Sequence, residues 1–312
     1  MKTFEDSWAR CSLEKLSSLI KDGSHGTHKD VLDGVPLLSA KDVHDGDLKI
    51  PDNCRRISDA DYLSIHKNYR IMPDDILLTI VGTIGRCYLI KGIEPDFSIQ
   101  RSVAVIRPKG IQPEYLYQFF RSEPFQTNLK NLTNASAQGG MYLNSLAKCF
   151  VNFPTAKTEQ AKIARLLSTV DRAIKETEAL IVKQQRIKTG LMQDLLTHGI
   201  DEYGSLRSRQ THKFKDSPLG KIPVEWEIGE LETITEFVTS GSRGWAQYYG
   251  AEGAMFLRIG NLTRDHINLL LEDMAFVNPP RTAEGKRTSV LTGDLLISIT
   301  ADLVSRHTCN VV

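Results

Sequence analysis

Asp75-Ile-Leu-Leu-Thr-Ile80 and Asp294-Leu-Leu-Ile-Ser-Ile299 are one short apolar run written twice, 219 residues apart (294 − 75). Working outward, Gly34-Val-Pro-Leu-Leu38 matches Gly253-Ala-Met-Phe-Leu257 at the same spacing. Trp8, Leu13, Glu14, Gly23, Ser24 and Gly26 match Trp226, Leu231, Glu232, Gly241, Ser242 and Gly244 at a spacing of 218 (226 − 8). Identity within each block is low, yet three blocks in one order with a single residue of drift do not arise readily by chance. The pattern predicts a duplicated domain. Residue 312 corresponds to residue 93 of the first copy (312 − 219), so the second copy is expected to be cut short.

A chain of 312 residues, 41% apolar, is globular and long enough for two domains. It holds no run of 18 apolar residues, and Met1 to Ile20 carries charges throughout, so a membrane span and a secretory leader are both excluded at this stage. A cytoplasmic location is expected. The cysteines Cys11, Cys54, Cys87, Cys149 and Cys309 are odd in number, far apart and never spaced Cys-x-x-Cys, which argues against a disulfide framework and against zinc. A formal charge of +1 is not that of a histone-like binder, so any nucleic-acid contact must come from locally placed cations.

The expected fold class is α+β: a mixed α/β domain, a long helix, then an incomplete second copy of the domain. Val35 to Leu38, Ile76 to Val81, Tyr88 to Ile90 and Val103 to Ile106 read as strands; Asp45-Gly46 and Lys109-Gly110 supply turns, and Pro73-Asp-Asp75 introduces a strand. Short helices open at Pro113 and Pro124. From Thr158 to Thr197, Ile163, Leu166, Val170, Ile174, Ile181, Ile187, Leu191 and Leu195 recur at spacings that are multiples or sums of 3 and 4, with no proline. This predicts one helix, capped by Thr158, ended by Gly199, and about 60 Å long at 1.5 Å per residue. Its apolar stripe is narrow and flanked by charge, so these eight residues are expected to pack against a partner helix. The expected domains are 1–157, the helix 158–198, a polar linker 199–221, and 222–312.

The chain carries no Gly-Lys-Ser/Thr phosphate loop, Gly-x-Ser-x-Gly elbow or His-Glu-x-x-His helix, and no catalytic residue is assigned. Asn278-Pro-Pro-Arg281 ends in arginine where a base-stacking aromatic would be needed. His25 and His28 lack a third ligand nearby, so no metal is assigned. Polar loops at repeated positions remain. Gly23-Ser-His-Gly-Thr-His28 and Gly241-Ser-Arg-Gly-Trp245 differ in content on a common frame, as expected of loops that read different targets. The candidate DNA contacts are Ser24, His25, Thr27, His28, Lys41, Thr83, Arg86, Arg101, Gln138, Gly139, Gly140, Arg243 and Arg258.

Pro154-Thr-Ala-Lys-Thr-Glu-Gln160 running into Ile163-Ala-Arg-Leu-Leu-Ser-Thr-Val-Asp171, then Arg186-Ile-Lys-Thr-Gly-Leu-Met-Gln193 and Gly220-Lys-Ile-Pro-Val-Glu-Trp226, resembles the specificity (S) subunit of type I restriction-modification enzymes, the HsdS family. The resemblance implies two target-recognition domains, each followed by a long helix, the helices packing antiparallel as a coiled-coil spacer. It implies a subunit that catalyses nothing itself, reads a bipartite double-stranded DNA target, and holds methyltransferase subunits and a restriction motor. S-adenosylmethionine, ATP and Mg would sit on those partners. The shortened second copy leaves open an inactive remnant, a fragment of a split gene, or a half-subunit whose helix self-associates. A coiled-coil adaptor that binds only protein is the competing expectation, favoured by the near-neutral charge.

Overall fold

The computed structural model describes residues 7–92, 96–134, 140–241, 244–262, 268–281, 283–299 and 309–311. In chain order the elements are β1 (Trp8–Ser12), β2 (Ser17–Asp22), β3 (Val35–Leu38), β4 (Val43–His44), β5 (Asp47–Leu48), β6 (Arg56–Ile57), α1 (Asp59–Ile65), β7 (Ile76–Thr79), β8 (Cys87–Leu89), β9 (Ser98–Ile99), β10 (Val103–Pro108), α2 (Pro113–Arg121), α3 (Glu123–Asn134), α4 (Leu143–Ala147), β11 (Phe150–Pro154) and α5 (Lys157–His198). They continue with β12 (Phe214–Ser217), β13 (Gly220–Pro223), α6 (Leu231–Ile234), β14 (Tyr249–Gly250), β15 (Ala254–Phe256), β16 (Ala275–Val277), α7 (Ala283–Arg287), β17 (Leu295–Ile297) and β18 (Cys309–Val311). The fold is α+β. The chain divides into two compact units, Met1–Thr189 and Gly190–Val312, so the division falls inside α5.

In the first unit an antiparallel sheet of order β2-β10-β7-β8 is buried on both faces. Strand alternation explains how. Ile76, Leu78, Ala104 and Ile106 point into one core with Leu116, Phe120 and Phe125 of α2 and α3. Leu77, Val103 and Val105 point into a second core with Leu38, Val43 and Ile99. Strands covered on both sides read as unbroken apolar runs, which is why β7 and β10 were legible. β1 pairs with β11, bringing Trp8 opposite Pro154 just before the long helix.

Helix α5 begins at Lys157, so Thr158 lies within its first turn and does not cap it. Its root is instead held by Gln160, 1% exposed, whose amide donates to the Pro154 carbonyl (2.7 Å) and accepts from the Gln112 N–H (2.8 Å). Ala164 is buried in the first core, and Ile163 packs against that core rather than facing outward as expected for the stripe. Arg121 and Gln118 of α2 both bind the Asp171 carboxylate. Burial raises the Asp171 pKa, but these hydrogen bonds outweigh it and leave the carboxyl below its ordinary value. The other seven residues of the stripe, Leu166, Val170, Ile174, Ile181, Ile187, Leu191 and Leu195, are all exposed. Gly199, at φ +67°, ends the helix by donating to the Leu195 carbonyl.

The second unit repeats three local devices of the first. Asp75 closes a turn by accepting from Met72 N–H (2.8 Å), and Asp294 does the same with Leu291 N–H (2.8 Å), with left-handed residues at Asp74 (φ 69°) and Gly293 (φ 99°). Asp42 accepts from Ser39 N–H (2.8 Å), and Asn261, 219 residues on, accepts from Arg258 N–H (2.9 Å). A Cβ at Gly34 would lie 2.2 Å from the Ile57 carbonyl oxygen, and one at Gly253 would lie 2.4 Å from that of Val277, because β3–β6 and β15–β16 pair at those points.

The outermost repeated block is different. Leu13 and Leu16 are buried, whereas Leu231 and Ile234 are exposed, and among the described residues no strand follows Trp226 as β1 and β2 flank Leu13. The stretch expected to be a linker also has structure: β12 and β13 form a hairpin, and Asp201 caps a turn by accepting from the Tyr203 and Ser205 N–H groups.

Candidate nucleic-acid interface

Gly23 ends β2 where a Cβ would sit 2.1 Å from the Ile99 carbonyl oxygen, so only glycine lets the chain lie this close to β9. Ser24 then donates its N–H to Ile99 (2.8 Å) and accepts from Arg101 N–H (3.0 Å). Ser102 extends the line: its carbonyl accepts from Ile80 N–H (2.9 Å) and its hydroxyl from Ala40 N–H (3.1 Å). Ile80 accepts from Met141 N–H (2.9 Å), and Val81 bridges to Gly140. One continuous backbone-linked ridge thus carries Ser24, Arg101, the segment before Lys41, the loop containing Thr83, and Gly140. Lys41, Thr83 and Arg101 are exposed on it, as are His25 and Thr27.

The β7–β8 loop is rigid for a local reason. The Thr79 hydroxyl donates to the Thr83 carbonyl and accepts from Arg86 N–H, while Gln126 donates to the Gly85 carbonyl (2.8 Å). Arg86 is half-buried at the foot of this loop. Ser24 and His28 face the protein rather than solvent. Ser24 Oγ lies 2.6 Å from His28 Nε2, and His28 Nδ1 lies 3.0 Å from Asp61 Oδ1. His25, at the exposed tip, pairs with Asp22. In the second unit Arg258 is tied to the Asp273 carbonyl (2.8 Å) and carboxylate (3.1 Å), which neutralises the cation. Gln138, Gly139 and Arg243 lie outside the described residues.

Asp61, Asp42 and Ser102, which help position this ridge, and Asn261, the second-unit counterpart of Asp42, were not singled out from the sequence. Asp61 stands three after Ser58, the spacing of a helix-capping pair, and that signal could have found both it and α1. Asp42 and Asn261 share the repeat spacing but not the residue type, so matching by identity passes over them. Ser102 carries no signal beyond its position next to Arg101.

Three local turn and strand devices of the first unit thus recur in the second, and the first unit runs in sequence into a long helix whose apolar stripe is exposed. Residues 33–184 match the type I restriction modification DNA specificity domain. The EcoBI specificity subunit of a type I restriction enzyme from Escherichia coli is 33% identical over 138 residues, covering 44% of this chain and 28% of that protein. The MjaVIII specificity subunit from Methanocaldococcus jannaschii is 23% identical over 241 residues, covering 77% of this chain and 53% of the relative. The crystal structure of a type I restriction-modification S subunit from M. genitalium aligns with a TM-score of 0.47 at 13% identity, over 90% of this chain and 65% of that one. The chain is thus similar to type I restriction-modification specificity subunits, with the family's domain matched over residues 33–184. It spans about half the length of the M. jannaschii relative and less of the E. coli one.

Proposed function

We propose that this chain is a non-catalytic DNA-reading and scaffolding subunit of a type I restriction-modification complex. In this reading 1–157 and 222–312 are target-recognition domains that each read one half of a bipartite double-stranded target. Segment 158–198 is the spacer, and 199–221 connects it to the second domain. Methyltransferase subunits using S-adenosylmethionine, and a motor-nuclease using ATP and Mg, supply the chemistry in the cytoplasm. The observation that carries the reading is the repeated frame with different loops: the devices at Asp42 and Asn261, and at Asp75 and Asp294, keep one geometry while the neighbouring exposed side chains change. A helix of 42 residues spans about 63 Å at 1.5 Å per residue, more than one duplex turn of about 34 Å, which suits two half-sites with an unread gap.

The test is selection from a random-sequence duplex library by the full chain co-expressed with its methyltransferase partner. Enrichment of a split sequence, with one half lost on Arg101→Ala, is the expected result. Co-purification without any enrichment would overturn the reading in favour of an adaptor that binds only protein.

A further inference from the structure

The loop Gly23–His28 is held from behind by α1, and the contact is a single chain of hydrogen bonds. A carboxylate only accepts, so His28 Nδ1, 3.0 Å from Asp61 Oδ1, must carry a hydrogen. In the neutral ring Nε2 is then an acceptor, and the Ser24 hydroxyl 2.6 Å away donates to it. Ser24 Oγ in turn accepts from the Gly26 N–H at 3.1 Å. Asp61 is itself fixed: its second oxygen accepts from the Ser58 hydroxyl (2.9 Å), and its N–H donates back to that hydroxyl (3.1 Å). Arg55 adds a second tie by binding both the His28 carbonyl and Asp30. Every polar atom of Ser24 and His28 on this side is used within the protein, while His25 and Thr27 between them stay exposed.

We infer that Asp61 is a positioning residue for sequence reading: acting through His28 and Ser24, it sets the loop so that His25 and Thr27, and not Ser24 or His28, meet the DNA. The inference rests on the DNA-reading function proposed above and divides the loop into holding and reading side chains. A loop fixed before binding loses less conformational freedom on contact, so the latch contributes to discrimination without touching a base.

Two readouts on the full chain separate the latch from the reading. In the histidine-15N-labelled protein at pH 8, the resonance that disappears in His28→Gln is expected to show the Nδ1–H tautomer. Asp61→Ala should abolish that signature, whereas Asp61→Asn, whose amide oxygen still accepts, should keep it. In library selection, Asp61→Ala and His28→Gln should each lower the preference for the half-site read by the first domain about tenfold. Their double variant should fall no further, and Asp61→Asn should stay within about threefold of the parent. A His28 ring protonated on Nε2, a tautomer indifferent to Asp61→Ala, or an unchanged preference despite loss of the tautomer would each overturn the inference. A parent chain with the tautomer intact that selects no sequence would instead overturn the DNA-reading function, and with it the role given to Asp61.

Discussion

Asp75 and Asp294 close the same turn, yet one is fully buried and the other exposed. In the first unit Arg107 of β10 reaches Asp75 with two guanidinium contacts of 2.7 and 2.8 Å, a bidentate pair laid over the turn bond. At Asp294 the turn bond to Leu291 N–H is formed on an exposed surface. The turn is therefore a local product of four residues, and the ion pair a tertiary addition. Asp75→Ala should cost about 2–4 kcal/mol by taking the carboxylate from Arg107, which keeps only its bond to the Arg70 carbonyl, and Asp294→Ala only about 1 kcal/mol. Urea unfolding of the two variants checks this, and equal losses would mean that the turn, and not the pair, supplies the stability at Asp75.

The paired glycines sharpen the same comparison. Gly34 and Gly253 both sit where a Cβ would collide with a carbonyl across the strand pair, at 2.2 and 2.4 Å. Gly253 also has φ +139°, a backbone setting that side chains avoid. We expect alanine at either position to destabilise its own unit by about 1–3 kcal/mol, through strand separation at Gly34 and through separation plus strain at Gly253. Hydrogen exchange of β3–β6 and β15–β16 localises the damage; opening of β15–β16 in Gly34→Ala would show the two units to be coupled.

His66 has no counterpart in the second unit, where Gly285 stands at the repeat spacing. Burial between Tyr62 and Tyr69 pushes its imidazole below the ordinary value, and its ring nitrogens bond the Tyr69 carbonyl and the Ser98 hydroxyl at 3.2 Å. The unfolded chain therefore takes up this proton first as pH falls. The stability owed to neutral His66 is fully present above about pH 6.5 and is lost as pH drops through that value toward the lower folded pKa. Thermal melts of the parent should show this slope in that window, and His66→Gln should flatten it. A slope that survives the substitution would assign it to another group.

What was legible in the sequence follows from the same physics. The sheet strands β7 and β10 were readable because both faces are buried, and the start of β7 because Pro73-Asp-Asp75 introduces it. β2, Ser-Ser-Leu-Ile-Lys-Asp, was not, since its side chains are only half-buried and no simple alternation results. α1 buries no residue and went unseen despite its capping pair. The polar loops stood out as stretches of sequence, but which of their side chains face solvent depends on contacts 33 residues away, as at His28 and Asp61, and no local pattern encodes them. The hairpin at 214–223 looked like linker because charged residues, serine, glycine and proline outnumber its apolar Phe214, Leu219 and Ile222.

Within α5 the root and the stripe present the smallest and most discriminating contrast. Ala164 is 3% exposed in the first core, whereas Val170 and Ile174 are 58% and 52% exposed and line a shallow apolar hollow with Ala173. A charge at Ala164 has no water to reach and should unfold the first unit. The same charge in Ile174→Glu is already solvated, so stability should move by no more than about 0.5 kcal/mol. If the stripe is the seam for a second helix, that charge must be buried on assembly, and association with another helix should weaken about tenfold or more. Sedimentation of the parent and Ile174→Glu, alone and with the methyltransferase partner, reads both effects. A variant that associates as the parent does would show that the exposed stripe is not the surface through which this chain assembles.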